Sequence, residues 1–206
     1  VKEGSVGAGT GTRALGFKGG IGTSSRVLPK KLGGYSIGVL VQSNFGNSLV
    51  VNGAPVGREL SKSSFSSSIP YDEDEGSCMI VIATDAPLSN RNLKRIAKRA
   101  IIGIGKVGGY ASNGSGDYVI AFSTYKDTSS DKITSDRTSV RNNAMTSLFQ
   151  ATVEATEEAI INSIFMAETI SSSLGKSEAL PINKTIKILK KFDSLNWNKE
   201  IHPWKK

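Results

Sequence analysis

The sequence predicts an α+β protein, and two kinds of apolar pattern carry this prediction. Short runs typical of strands occur at residues 35–43, 79–84 and 118–123. Segments with helical periodicity occur at about residues 90–102, 140–170 and 182–192. Because strands and helices are mixed without a regular βαβ alternation, we expect packed α+β layers in a single domain over residues 1–206.

The N-terminal part is rich in Gly, Thr and Ser over residues 1–34, and apolar residues recur between its glycines. This pattern indicates turns and short strands, and the segment Gly7–Thr12 could line a ligand site with backbone amides. A buried strand over Tyr35–Ser43 then ends in the turn Asn44-Phe45-Gly46. Leu49–Val51 followed by Asn52-Gly53 predicts a hairpin.

The middle of the chain begins with a Ser-rich, then acidic loop over residues 61–76, which meets the strand at 79–84. Pro87 and Ser89 then open an amphipathic helix that runs to about Ile102. The segment Gly103–Gly108 matches the G-x-G-x-x-G fingerprint of dinucleotide sites. It follows a helix instead of a strand, so we interpret it as a helix C-cap and turn.

The composition excludes several functional classes. The formal charge is +8, and basic residues cluster at 91–99, but only 7% of residues are aromatic. Since stacking surfaces need interleaved aromatic side chains, we interpret the cluster as a solvated helix face and expect no nucleic-acid partner. No apolar run is long enough to span a bilayer. With the single cysteine Cys78, nothing indicates an oxidising compartment, and a cytoplasmic location is favoured.

The shortage of histidine limits the possible chemistry. The only histidine is His202, in the C-terminal tail, so a Ser-His-Asp relay within this chain would have to use that tail. His-based zinc motifs are absent, and Glu154, Glu157 and Glu158 favour a solvated helix face over a metal site. We predict no metal and no cofactor.

The junction Gly76-Ser77 carries the main catalytic hypothesis. Glycine permits a strained backbone and close approach, and serine supplies a hydroxyl that can attack the preceding carbonyl. Cleavage there would make Ser77 a new N-terminus with both a nucleophile and an amine. Taken alone, the same residues are more simply interpreted as a loop that enters a buried strand.

Three further residues could act in catalysis if they lie together, although each considered by itself fits an ordinary turn. The amide of Asn44 could stabilise an oxyanion, and Ser115 with Asp117 could relay a proton. Each lies in a segment that also reads as a simple Asx or Gly-flanked turn.

The order of these motifs resembles a known family. The chain contains six motifs in this order: 7–11 (GAGTG), 16–25 (GFKGGIGTSS), 41–46 (VQSNFG), 76–77 followed by 80–88 (IVIATDAPL), 113–117 (NGSGD) and 154–160 (EATEEAI). Together they resemble the self-processing serine aminopeptidases of the DmpA and β-peptidyl aminopeptidase type, peptidase family S58. The resemblance covers nearly the whole chain.

The resemblance implies a four-layer αββα sandwich, similar in architecture to the Ntn hydrolases. It implies self-cleavage at Gly76-Ser77, with residues 1–76 ending an α part and 77–206 forming the β part. Ser77 would be the nucleophile, Asn44 the oxyanion donor, and Ser115 and Asp117 the proton-handling pair. We assign Gly7, Gly9 and Phe45 to substrate binding.

By the same resemblance, the substrate is a peptide, amide or ester with a free N-terminal amine, of L-, D- or β-amino acids. The expected assembly is a homotetramer of αβ pairs. In the family the residue at 117 is usually Glu, and the α part is longer, so we expect the N-terminal part of the precursor to be absent from this chain. The alternatives are an acyltransferase of the ornithine acetyltransferase type, which normally has a threonine nucleophile, and a non-catalytic basic scaffold.

Overall fold

The computed structural model describes residues 1–61, 76–126, 139–173 and 175–195. Its strands are β1 (Arg13–Ala14), β2 (Phe17–Lys18), β3 (Ile21–Val27), β4 (Ser36–Asn44), β5 (Ser77–Thr84), β6 (Tyr118–Ser123), β7 (Ile170–Ser172) and β8 (Gly175–Ser177). Its α-helices are α1 (Val56–Glu59), α2 (Asn90–Lys106), α3 (Met145–Phe165) and α4 (Ile182–Lys191). Short 3-10 segments lie at Gly7–Gly11, Lys30–Leu32 and Asn142–Ala144.

A four-stranded sheet in the order β3-β4-β5-β6 organises the described residues. The first two pairings are antiparallel, whereas β5 and β6 are parallel. The connection from β5 to β6 runs through α2, as a parallel pair requires. The sheet therefore contains one βαβ unit, which the sequence patterns did not reveal. The α+β prediction is confirmed.

One face of the sheet packs against α2 and α3 and forms the core. Side chains of β4 alternate strictly between buried and half-buried positions, and the buried set faces the helices. Helix α3 lies close to β3, since a Cβ on Gly22 would collide with the Ala159 carbonyl oxygen. Small residues on both elements therefore let helix and sheet approach.

The opposite face of β5 and β6 is open among the described residues. Tyr118 and Ile120 are each 65% exposed, Phe122 is 44% exposed and Met79 is 38% exposed. The register places Met79 beside Tyr118, so these side chains form one apolar surface. The side chain of Ser77 belongs to this same face, because it lies two residues before Met79.

The predicted elements recur with three corrections. The long helix begins at Met145 and ends at Phe165, so it is shorter than the predicted span of 140–170. The Asn52-Gly53 turn forms with positive φ at both residues, but the predicted hairpin around it contains only the bridge between Val51 and Ala54. Helix α2 continues to Lys106 instead of ending near Ile102, and the predicted cap and turn lie at the end of the segment 103–108, at Val107 and at Gly108 with φ 104°.

The basic residues of α2 have more contacts than a purely solvated face. Arg95 and Arg99 place their guanidinium groups 4.9 and 4.0 Å from the centroid of the Phe149 ring on α3. These two cations therefore stabilise the packing of α2 on α3. Within the described ranges, none of the helices is long and apolar enough to cross a membrane.

Candidate active site

Ser77 opens β5 and faces Asn44 across the sheet. The register pairs Asn44, the last residue of β4, with Ser77. Directly opposed residues on antiparallel strands point to the same face, with Cβ atoms roughly 5 Å apart. The predicted nucleophile and the predicted oxyanion donor are therefore brought together by strand pairing, although 32 residues separate them in the sequence.

Gly76 is required at its position by close approach of the chain. A Cβ there would lie 2.6 Å from Phe45 Cα and 2.7 Å from the Asn44 carbonyl oxygen. Gly76 is not among the glycines with positive φ, so of the two properties expected of this glycine the structure shows the close approach. What the structure requires at residue 76 is the absence of a side chain.

The backbone amide of Gly116 contacts both the hydroxyl and the carbonyl group that would react. Its N–H donates to Ser77 Oγ at 3.2 Å and to the Gly76 carbonyl oxygen at 3.3 Å. A donor shared in this way can follow the carbonyl oxygen if negative charge develops there. Gly116 thus joins the site through its main chain.

Ser115 and Asp117 form the expected hydroxyl–carboxylate pair. Ser115 Oγ donates to Asp117 Oδ2 at 3.1 Å, and Asp117 Oδ1 accepts from the backbone N–H of Cys78 at 3.0 Å. The carboxylate is therefore fixed to β5 beside Ser77. A hydroxyl that donates to a carboxylate keeps its own lone pairs available to accept a proton.

The side chain of Asn44 is held by its oxygen. The backbone N–H of Arg13 donates to Asn44 Oδ1 at 3.0 Å. Among the described residues no acceptor contacts Asn44 Nδ2. The amide group thus keeps a free donor, as an oxyanion site needs.

The three residues assigned to substrate binding are placed differently from one another. Phe45 is 6% exposed, and its side chain belongs to the hydrophobic core. Gly9 is buried within the 3-10 segment Gly7–Gly11, whereas Gly7 is exposed. This segment reaches the sheet near Asn44, because Gln42 Nε2 donates to the Ala8 carbonyl oxygen at 3.3 Å.

Cys78, the neighbour of Ser77, is fully buried. Burial raises the pKa of its thiol, and the adjacent Asp117 carboxylate raises it further. Because only a thiolate is a good nucleophile, Cys78 is an inert core residue. In the described part of the chain, no cluster of His, Cys, Asp and Glu could hold a metal ion, and His202 lies outside that part.

The sequence did not indicate the two main-chain donors of the site. The N–H groups of Gly116 and Arg13 contact Ser77 and Asn44, yet a backbone amide leaves no trace in residue type. The only available signal was position, since Gly116 lies between the two predicted residues Ser115 and Asp117.

Comparison with known proteins identifies the family. The sequence model of peptidase family S58 matches residues 1–177. A β-peptidyl aminopeptidase of Sphingosinicella microcystinivorans is 41% identical over 211 residues, which cover 95% of this chain and 53% of the relative.

The solved structures that are similar to the chain include those of two aminopeptidases. The β-aminopeptidase of a Burkholderia species has a TM-score of 0.80 at 38% identity, over 93% of this chain and 54% of that one. The L-aminopeptidase D-Ala-esterase/amidase of Ochrobactrum anthropi has a TM-score of 0.81 at 35% identity, over 95% of this chain and 54% of that one. It is described as a prototype of the serine aminopeptidases and a new variant of the Ntn hydrolase fold, so the predicted fold family is confirmed. The chain spans about half the length of these relatives, and it belongs to peptidase family S58.

Proposed function

We propose that the chain is the part of a self-processing serine aminopeptidase that carries its nucleophile, Ser77. The observation that carries this proposal is the convergence of Gly76, Ser77, Asn44 and Gly116 at one end of the β4–β5 pair. Three kinds of group needed for acyl transfer meet there: a hydroxyl, a polarised carbonyl and two N–H donors.

In the proposed maturation step, Ser77 Oγ attacks the Gly76 carbonyl carbon and the peptide bond breaks. The proton of Ser77 passes to Ser115 Oγ, whose own proton moves to Asp117. The Gly116 N–H and Asn44 Nδ2 stabilise the oxyanion, and each such donor contributes about 10²–10³ in rate in other hydrolases. The Ser77 amine departs as the C–N bond breaks and takes the proton back from the Ser115–Asp117 pair. Water then hydrolyses the ester, which releases Gly76 as a carboxylate and frees the Ser77 hydroxyl.

In turnover, Ser77 attacks the acyl carbon of a substrate's N-terminal residue. The amine of Ser77 accepts the proton, a role that suits a group whose reference pKa is about 8. It passes this proton to the amine or alcohol that departs, and water then hydrolyses the acyl-enzyme ester to release the free amino acid and Ser77. We propose substrates with a free N-terminal amine, joined by an amide or ester bond. Support for this class comes from the relatives, which are described as a β-peptidyl aminopeptidase and an L-aminopeptidase D-Ala-esterase/amidase.

We further propose that residues 1–76 end an α part, and that the apolar face of β5 and β6 contacts the N-terminal part of the precursor. The exposure of Tyr118 and Ile120 on that face supports this, since an apolar surface beside a catalytic site normally meets a partner. A tetramer of αβ pairs remains our expectation for the assembly.

The proposal is tested by Ser77→Ala in the full-length protein. We expect this variant to persist as an uncleaved precursor and to release no p-nitroaniline from aminoacyl anilides. Ser147→Ala, which removes a half-buried serine of α3 whose hydroxyl donates to the Ala144 carbonyl oxygen, is the matched control and should mature and turn over normally. Retained turnover by Ser77→Ala would refute the nucleophile assignment.

A further inference from the structure

A buried lysine lies behind the Gly-rich segment and belongs to no step described so far. Lys18 is 1% exposed, and burial lowers the pKa of its amino group. Lysine is almost never fully buried without partners. Here Nζ donates to the carbonyl oxygens of Gly9 at 2.6 Å, Thr12 at 2.8 Å and Gly19 at 2.7 Å, so all three of its N–H groups are used.

The contact with Thr12 connects Lys18 to Asn44 through a single peptide group. The Thr12 carbonyl accepts from Lys18 Nζ, and the N–H of the same peptide, which belongs to Arg13, donates to Asn44 Oδ1 at 3.0 Å. In a trans peptide the C=O and N–H point in opposite directions. Lys18 therefore lies on one side of this peptide and Asn44 on the other.

This arrangement fixes which atom of the Asn44 amide faces the reaction. An Asn side chain can present either its oxygen or its nitrogen, and only the nitrogen can stabilise an oxyanion. Because Arg13 N–H occupies the oxygen, Nδ2 is left as the free donor on the face that carries Ser77. A cation on the carbonyl of that peptide also polarises its N–H and strengthens this hydrogen bond.

We propose that Lys18 is a positioning residue, which acts through the peptide between Thr12 and Arg13 to orient the Asn44 amide toward the oxyanion. The inference rests on the proposed function, because it assumes that Asn44 Nδ2 contacts the reacting carbonyl. Lys18 itself touches no reacting atom. Its role in catalysis is exerted entirely through Asn44.

The first test is a double-mutant cycle in the full-length protein, with Lys18→Met, Asn44→Ala and both together. We expect Lys18→Met to lower kcat at least about tenfold with little change in KM, because a misaimed donor costs transition-state binding. In the Asn44→Ala background, the same change should alter kcat less than about threefold. Variants that mature too slowly for kcat to be measured are compared by the rate constant of Gly76–Ser77 cleavage.

A second pair of variants removes the link without touching Lys18, so the inference stays testable if Lys18→Met does not fold. Arg13→Pro deletes the N–H that holds Asn44 Oδ1, and Arg13→Ala keeps it. The Arg13 side chain is exposed, and Thr12 already has ψ 155°, which a following proline accepts. Arg13→Pro should lower kcat at least about tenfold relative to Arg13→Ala, and this difference should vanish when Asn44 is Ala.

The outcomes separate this inference from the proposed function. Thr152→Val, which removes a buried hydroxyl of α3 remote from Asn44, controls for loss of a buried hydrogen bond and should keep wild-type kcat. If Lys18→Met and Arg13→Pro each lower kcat as much in the Asn44→Ala background as in the wild-type background, the positioning role is overturned, while Ser77 remains the nucleophile. Turnover that survives Ser77→Ala would overturn the proposed function itself, whatever Lys18 does.

Discussion

Gly76→Ala tests whether the close approach of the chain at residue 76 presents the carbonyl for attack. The new Cβ would lie 2.6 Å from Phe45 Cα and 2.7 Å from the Asn44 carbonyl oxygen. Both are main-chain atoms at the end of β4, so rotation of a side chain cannot relieve the collision. Strand β5 must move away from β4 at the Asn44–Ser77 pair.

The size of this movement follows from the distances. Ordinary contact begins at 3.4 Å, so the collision at 2.6 Å requires a shift of roughly 0.8 Å (3.4 minus 2.6). The hydrogen bond from Gly116 N to the Gly76 carbonyl oxygen is already 3.3 Å long, and a shift of that size that moves the carbonyl away from Gly116 would break it. Loss of one oxyanion donor slows acyl transfer by about 10²–10³, and overpacking destabilises by about 1–3 kcal/mol.

The assay is the rate at which a fragment beginning at Ser77 appears in the purified full-length precursor, followed by intact mass. We expect Gly76→Ala to slow this rate at least about 100-fold. Gly105→Ala is the control, because a Cβ on that exposed helical glycine would meet nothing within 4 Å. Cleavage of Gly76→Ala within about threefold of the wild-type rate would refute the steric reasoning.

Three other predictions concern titratable groups. Asp117→Asn should keep the hydrogen bond from the Cys78 N–H but lose the carboxylate that accepts the proton of Ser115. We therefore expect kcat to fall by a factor of about 10²–10⁴, while the temperature of thermal unfolding changes little. An unchanged pH–rate profile would contradict the relay. Burial and Asp117 raise the pKa of the Cys78 thiol, so iodoacetamide should not alkylate Cys78 or inhibit the native enzyme near pH 8; inhibition that tracks alkylation would contradict its inert role. Because burial lowers the pKa of Lys18, the unfolded chain binds more protons than the folded chain between that lowered pKa and the ordinary 10.5. The free energy of unfolding of the wild type, minus that of Lys18→Met, should therefore rise with pH in this window. A fall of this difference in urea-unfolding measurements would contradict the assigned burial.

Much of the local structure could be predicted from the sequence, because periodicity encodes it. The strand at 118–123 was predicted with the bounds that the structure has, and α4 differs from its predicted span by one residue. The parallel pairing of β5 with β6 could not be predicted, because strand order depends on long-range packing that the pattern of one strand does not contain. The end of α3 at Phe165 was likewise missed, since the apolar residue Ala167, buried just beyond it, continued the helical pattern.

The candidate site was predicted only where its chemistry resides in side chains. Ser77, Asn44, Ser115 and Asp117 were found as residue types in an order that resembles the family, and the structure brings them to one end of the sheet. The contributions of Gly116 and Arg13 come from backbone amides, and the link from Lys18 runs through a peptide group. Such contacts arise from the fold, so no reading of residue types could have located them.

The central claim is that Ser77 forms the acyl-enzyme, and trapping that intermediate tests it most directly. The full-length enzyme is quenched in acid during turnover of a slow β- or D-aminoacyl ester, and its peptides are analysed by mass spectrometry. We expect the aminoacyl group on the peptide that begins at Ser77, bound to the Ser77 hydroxyl. We expect no such adduct in the Ser77→Ala variant. An adduct on another residue, or steady turnover with none on Ser77, would contradict the account.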